Sequence, residues 1–321
     1  MSLLRAASNL TGPSVQRWSL IAALVTMAVW GINFTVVKYV LEHTGVGAFL
    51  FMRYLMMPLL GLALLAVVYR RHLPKSWPQR EDLPRFVACG LVGHTAHVGL
   101  VTWGISLSTP FSSALVLTSG PLFTLLILTF AGAERLRPRQ VAGTVFAFAG
   151  IVIFLSDKFV RGVEQAGAGD LVLLFAASLF SLYTVLARPI TSRYGPLPVL
   201  AYTLLFGAPV LLVASASSFA AAPLAELPVL VWFGVAWAVV ISAFLGWMVW
   251  AWVNAARGVA RSAPLLYLIP PIAGLTAWLT LGEKFTLLKL VGAAVTMAGV
   301  AWAQFGGGHA PPRETAQADT P

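Results

Sequence analysis

The 321-residue chain is 59% hydrophobic and only 10% charged, with a formal net charge of +10; an average soluble domain is about 25% charged, so this one cannot clothe a surface in water. In hydrocarbon every backbone N–H and C=O must be paired internally, which leaves helices or closed barrels, and apolar runs of about 20 residues without alternation favour helices crossing a ~30 Å core. The positive charge does not point to nucleic acid, because the basic residues sit in short clusters between apolar runs, the pattern of membrane topology.

Residues 1–17 are polar, carry Arg5 and Arg17, and read as a cytoplasmic tail. The first span is expected over 18–40; no small-residue cleavage site follows it, so it reads as a retained helix rather than a signal peptide. Within it Asn33 needs a partner for its amide, either a neighbouring helix or a substrate. Lys38, near its outer end, is placed to snorkel. A turn at His43-Thr44-Gly45 leads to the second span, 46–69. Arg53 lies well inside it, where a charge costs about 2.5–3.5 kcal/mol unless it meets water, a partner or a ligand. Two readings stand: it snorkels or pairs with Glu42, or it offers positive charge to a cavity that receives a carboxylate.

The third span, 84–106, holds Cys89, the one cysteine, which excludes an intrachain disulfide and suits packing. His94 and His97 follow, three apart and so on one helix face. They suit hydrogen bonding, cavity lining or proton transfer. No suitable carboxylate stands beside them, so no metal or other cofactor is expected. Trp103 lies in the same span. The fourth span, 109–131, contains Pro121, and the fifth, 138–156, contains Gly143 and Gly150. A periplasmic linker is expected over 157–168. The sixth, seventh and eighth spans, 169–189, 196–219 and 228–252, carry Tyr183, Tyr202, Trp237 and Trp247. The ninth, 262–281, carries Tyr267, Pro270 and Pro271; the tenth, 286–305, carries Gly292 and Gly299. Trp18 and Trp302 suit interfacial anchors, whereas Trp103, Tyr183, Tyr202, Trp247 and Tyr267 lie deeper and suit an aromatic-walled cavity. The three prolines are expected to act as hinges or kinks. The four glycines suit close helix contacts or a homodimer face between the fifth and tenth spans. The tail, 306–321, has linker composition and is expected to be disordered.

Lysine and arginine divide 15 to 5 between the two sides, with Arg53 inside a span. That bias places both termini in the cytoplasm and the chain in a cell inner membrane. The same residues repeat. A shift of 149 pairs Ser113 with Ser262, Pro121 with Pro270, Glu134 with Glu283, Gly143 with Gly292 and Ala149-Gly150 with Ala298-Gly299; a shift of 150 pairs Lys38 with Arg188 and Gly45 with Gly195. Five spans per unit is an odd number, so the second unit enters the membrane from the opposite side. The expected fold is an all-α integral membrane protein of ten transmembrane helices, arranged as two inverted five-helix repeats over 18–156 and 169–305. Such folds place a substrate near the midplane, between the halves.

The run Trp30-Gly31-Ile32-Asn33-Phe34, the pair Arg53-Tyr54, and Pro121 followed by Glu134-Arg135-Leu136, recurring as Pro270 and Gly282-Glu283-Lys284, resemble the drug/metabolite transporter superfamily, in its EamA-type ten-span branch. The resemblance covers about residues 18–305. It implies export of amino acids, related metabolites or drug-like molecules through a central cavity, with small-molecule substrate and membrane lipid as partners. Asn33, Arg53, His94, His97, Trp103, Tyr183, Tyr202, Trp247 and Tyr267 are the expected substrate-facing residues. A lipid or polyprenyl-carrier flippase is the alternative, and it predicts a lateral opening between helices. An intramembrane enzyme would need a reactive constellation; HExxH, Gly-x-Ser-x-Gly, paired mid-span aspartates and a Walker A sequence are all absent from the chain.

Overall fold

The computed structural model describes residues 13–69, 77–130, 137–160, 164–257 and 262–305. Among these the chain is helical almost throughout and contains no strand. The tails 1–12 and 306–321, much of the basic loop after Val68, and the Glu134-Arg135-Leu136 motif lie outside the described residues.

The first stretch, Pro13–Val68, runs 56 residues, far more than the ~20 a bilayer needs. It is divided at Gly45, where φ is 71° and ψ 168°. We label its arms α1 (13–44) and α2 (46–68). Then follow α3 (83–107), α4 (110–130), α5 (Pro138–Val160), α6 (Glu164–Tyr194), α7 (Pro196–Ala220), α8 (229–257), α9 (263–281) and α10 (Leu287–Phe305). With the α1–α2 rod taken as one, seven helices are long and apolar enough to cross a membrane, and the apolar parts of α9 and α10 are shorter. α1 begins at Pro13, inside the expected tail, with proline where a helix lacks an N–H partner anyway. α5 runs on to Val160 and α6 starts at Glu164, so helix occupies most of the linker expected over 157–168.

Three irregularities recur at matching points. Gly45 and Gly195 both have positive φ, 71° and 85°, with ψ of 168° and 165°, a region open essentially to glycine alone. A Cβ on Gly45 would meet nothing within 4 Å, so conformation, not space, demands glycine there. π-helical turns occupy Gly90–His97 in α3 and Trp237–Leu245 in α8. Finally, α4 and α9 are both interrupted: Pro110–Leu117 gives way to Gly120–Phe130, and the 3₁₀ turn Ala263–Leu268 gives way to Ile269–Leu281. Pro121 and Pro270 each open the second segment. They do not break hydrogen bonds in mid-helix, as expected from sequence; they start a new helix at a position that suits proline.

α5 and α10 pack antiparallel through glycine. A Cβ added at Gly143, Gly150, Gly292 or Gly299 would fall 2.6–2.8 Å from the Cα of Ala303, Thr296, Phe154 or Ala147 respectively. Moving seven residues up one helix moves seven down the other. The 149-residue shift that carries Gly143 to Gly292 also carries Phe154 to Ala303, so the first contact is the image of the third. The second and fourth are related in the same way. These glycines face the opposite helix of the same chain. Elsewhere the core is shared between the halves: Val37, Tyr54 and Ile105 pack with Leu173, Leu204 and Val239.

This contact is directly testable. Gly150→Ala and Gly299→Ala press a methyl onto facing backbone, and each is expected to lose about 1–3 kcal/mol. Gly99→Ala meets only Leu211 Cδ2 at 3.6 Å and serves as control. Thermal unfolding in detergent should show a lowered Tm for the first two and none for the third.

Candidate functional site

Arg53 lies eight residues beyond the Gly45 break, about 12 Å along α2. It is half-buried. Among the described residues it makes no ion pair and no hydrogen bond, and none forms with Glu42. The next residue, Tyr54, is buried and donates from Oη to the His94 carbonyl at 2.5 Å. That bond ties α2 to the π-helical turn of α3 at the level of Arg53. π turns loosen the regular backbone ladder and gather at functional positions. Through the Tyr54 bond the part of α2 that carries Arg53 is held beside the π turn that carries His94 and His97.

The imidazoles are held by different helices. His94 Nε2 lies 3.0 Å from Thr203 Oγ1 on α7, whose hydroxyl donates to the Val199 carbonyl at 2.7 Å. A hydroxyl has one proton, so Thr203 receives the N–H of His94. His97 Nδ1 lies 2.8 Å from the Ala176 carbonyl on α6. A carbonyl only accepts, so Nδ1 carries a proton and neutral His97 keeps its lone pair on Nε2, which has no partner among the described residues. No group of three or more metal-ligating residues occurs among those described.

Aromatic rings enclose this point. His94 meets Tyr183 edge-on at 5.6 Å, and His97 meets Phe180 at 5.1 Å. Phe180 in turn touches Tyr183 at 6.2 Å and Trp247 at 6.3 Å. Trp247 reaches Trp30 at 6.4 Å, and Trp30 meets Trp250 at 5.7 Å. Trp30 Nε1 donates to the Ser242 carbonyl in the π turn of α8 at 3.0 Å. One turn along α1, Asn33 Oδ1 is buried without a hydrogen-bond partner. The ring cluster thus draws on α1, α3, α6 and α8. The sequence reading named Tyr183, Trp247 and the histidines but left Phe180 and Trp250 out. The signal for Phe180 was present: the 150-residue shift pairs Trp30 with Phe180 and Asn33 with Tyr183.

Other expected residues go elsewhere. Tyr202 packs edge-on against Phe86 at 6.0 Å, in a cluster with Leu65 and the free, buried Cys89. Tyr267 packs beside Leu122, Ala147 and Val300, between α4, α5 and α10. Trp103 is 47% exposed and makes no ring contact among the described residues. Lys38 does not snorkel freely, for its Nζ donates to the Ser106 carbonyl at 2.6 Å, at the C-terminal end of α3. Near the same end of the molecule Lys289 and Glu283 form a buried ion pair at 2.5 Å, with Lys289 Nζ 5.5–5.9 Å from the rings of Phe111, Phe154 and Phe285. Two apolar grooves open sideways, one of 330 Å³ between α1 and α8 and one of 240 Å³ between α2 and α8.

Comparison with known proteins adds the context. A model of the EamA-like transporter family matches twice, at residues 17–156 and 167–304. A probable terminal-alkyne amino-acid exporter of Streptantibioticus cattleyicolor is 30% identical over 88% of this chain and 91% of that protein. Probable amino-acid metabolite efflux pumps of Salmonella typhimurium and Escherichia coli are 26% and 24% identical, over 87% of this chain and 92% of each. A solved crystal structure shares the fold, with a TM-score of 0.58 at 20% identity over 90% of this chain and 97% of that one.

Thr203 anchors the His94 ring on α7. Thr203→Val leaves the His94 N–H without its acceptor, and a buried orphan is expected to cost about 1–3 kcal/mol. Thermal unfolding in detergent should show a clear fall in Tm for Thr203→Val and a near-normal Tm for Thr203→Ser.

Proposed function

The chain belongs to the EamA-like transporter family, and from that premise we propose that it is a secondary transporter that exports a small carboxylate-bearing metabolite, an amino acid or a relative with an apolar or aromatic side chain. Family membership and the transporter names of its relatives point to transport rather than catalysis. The observation that carries the substrate reading is Arg53, a half-buried cation inside an apolar helix with no counter-ion among the described residues. Such a charge is stable only where water or a ligand meets it. A carboxylate presents two oxygens to the guanidinium fork, and the rings of Phe180, Tyr183, Trp247 and Trp30 suit the rest of the molecule. The printed names of the relatives, amino-acid exporter and efflux pump, agree with this class.

In this reading ten spans form two inverted five-helix units that alternate access around the ring cluster. Support comes from the Gly45 division of the first rod, the matching backbone of Gly45 and Gly195, the paired π turns, the interrupted α4 and α9, the mutual α5–α10 glycine contact and the double match to one family model. The interrupted helices and π turns are where bending would concentrate, with Pro121 and Pro270-Pro271 at the hinges. Both termini face the cytoplasm of a cell inner membrane, as the 15-to-5 division of basic residues argues. A homodimer through α5 and α10 uses their outer faces, because the glycine faces are occupied within the chain. A flippase for a lipid-like carrier is the second reading. The 330 Å³ lateral groove favours it; the position of Arg53 and the histidines away from that lining favours the first.

Purified protein in liposomes loaded with amino acids and aromatic carboxylates should show counterflow of at least one. Arg53→Gln should weaken binding of that carboxylate by at least tenfold, since a charge-assisted pair contributes about 1.5–3 kcal/mol. Unchanged affinity in Arg53→Gln would remove the guanidinium from the site. Exchange of lipid analogues but of no soluble solute would move the assignment to a flippase.

A further inference from the structure

Neutral His97 has an acceptor on the π turn of α3 that Tyr54, the neighbour of Arg53, ties to α2. Its other nitrogen is committed: the Ala176 carbonyl takes the Nδ1 proton at 2.8 Å, so the neutral ring has its lone pair on Nε2, on the far side. Nothing among the described residues donates to that nitrogen. His94, three residues earlier, leaves the opposite nitrogen free: its Nε2–H is engaged by Thr203 at 3.0 Å, so its lone pair is on Nδ1, next to its own backbone. Of the two neutral rings, only His97 therefore offers its acceptor at the ring tip.

Resting on the carboxylate reading of Arg53, we propose that His97 Nε2 is the specificity-determining acceptor for a protonated amine of the substrate, so that the site selects zwitterionic α-amino acids over the matching simple carboxylates. Three physical points carry this. An imidazole lone pair is a strong neutral acceptor, and no carboxylate among the described residues stands at this depth to take an ammonium instead. Phe180, with its ring centroid 5.1 Å from that of His97, offers an aromatic face beside the same position, and desolvated ammonium–ring contacts are favourable. Lastly, a zwitterion adds no net charge to the low-dielectric interior. It neutralises Arg53 at one end and places its own positive charge against the imidazole and ring at the other. Asn33 Oδ1, three residues along α1 from Trp30, is likewise buried and partnerless.

The test compares L-phenylalanine with phenylpropionate, and L-leucine with isocaproate, binding to the full-length protein in detergent. Wild type should bind each amino acid at least tenfold more tightly than its des-amino partner. His97→Asn keeps an N–H for the Ala176 carbonyl and lacks the distal acceptor; the preference should fall below about threefold while carboxylate binding persists. His97→Gln extends an amide oxygen toward the Nε2 position and should recover part of the preference. Equal binding of the two members of each pair by wild type overturns the proposal alone, as does a His97→Asn protein that discriminates like wild type. Binding of neither member by a folded wild type overturns the carboxylate reading and this proposal with it.

Discussion

Helices in hydrocarbon gain nothing from merely hiding apolar side chains, since lipid is as apolar as leucine; they hold together where backbones approach closely and polar groups find partners. The glycine contact between α5 and α10 supplies that approach most plainly, with facing backbone at a distance that no Cβ could tolerate. The same device recurs along α3. A Cβ on Gly90 would fall 2.8 Å from the Thr203 carbonyl, one on Gly104 would strike Leu173, and Gly93 lies against the Tyr183 ring. The ring cluster stands at its depth because glycine lets α3 settle into α6 and α7.

Within that frame most interior polar groups are answered locally. Trp30 reaches the Ser242 carbonyl, Tyr54 the His94 carbonyl, and Thr95 the Gly207 carbonyl. Two of these acceptors lie in π turns. A fold this careful with neutral hydrogen bonds makes the uncompensated guanidinium of Arg53 conspicuous, as it does the unpartnered His97 Nε2 and Asn33 Oδ1. By contrast, several charged groups at the far end have polar partners in the fold. Lys289 and Glu283 pair with each other, Glu283 also accepts the Phe111 N–H, and Asp157 accepts from Thr286. That end ties the two halves together through buried electrostatics, whereas the ring cluster keeps its charge available.

Duplication gives the architecture its economy of means. One pattern of glycine, proline and aromatic residues, used twice, produces the left-handed turn at Gly45 and Gly195, the π turns of α3 and α8, and the broken α4 and α9. The chemistry has diverged between the copies. Asn33 corresponds to Tyr183 and Trp30 to Phe180, so equivalent positions carry different side chains.

Composition and spacing by themselves determined that the chain is a helical membrane protein and that its punctuation repeats, because lipid admits few backbone arrangements and glycine and proline have sharp conformational demands. They also marked Arg53, Asn33 and the histidine pair, since polar groups are conspicuous in apolar runs. Only the tertiary structure decided which of these remain unpartnered. Nothing local distinguishes His94 from His97 until Thr203 and Ala176, roughly 80–110 residues away, take up one nitrogen of each. Tyr202 and Tyr267 looked alike to Tyr183 in the sequence, yet Tyr202 packs edge-on against Phe86 and Tyr267 beside Val300, and Trp103 faces outward. Depth along a helix can be counted from the chain; direction around it, and the neighbour it meets, depend on how the other helices pack.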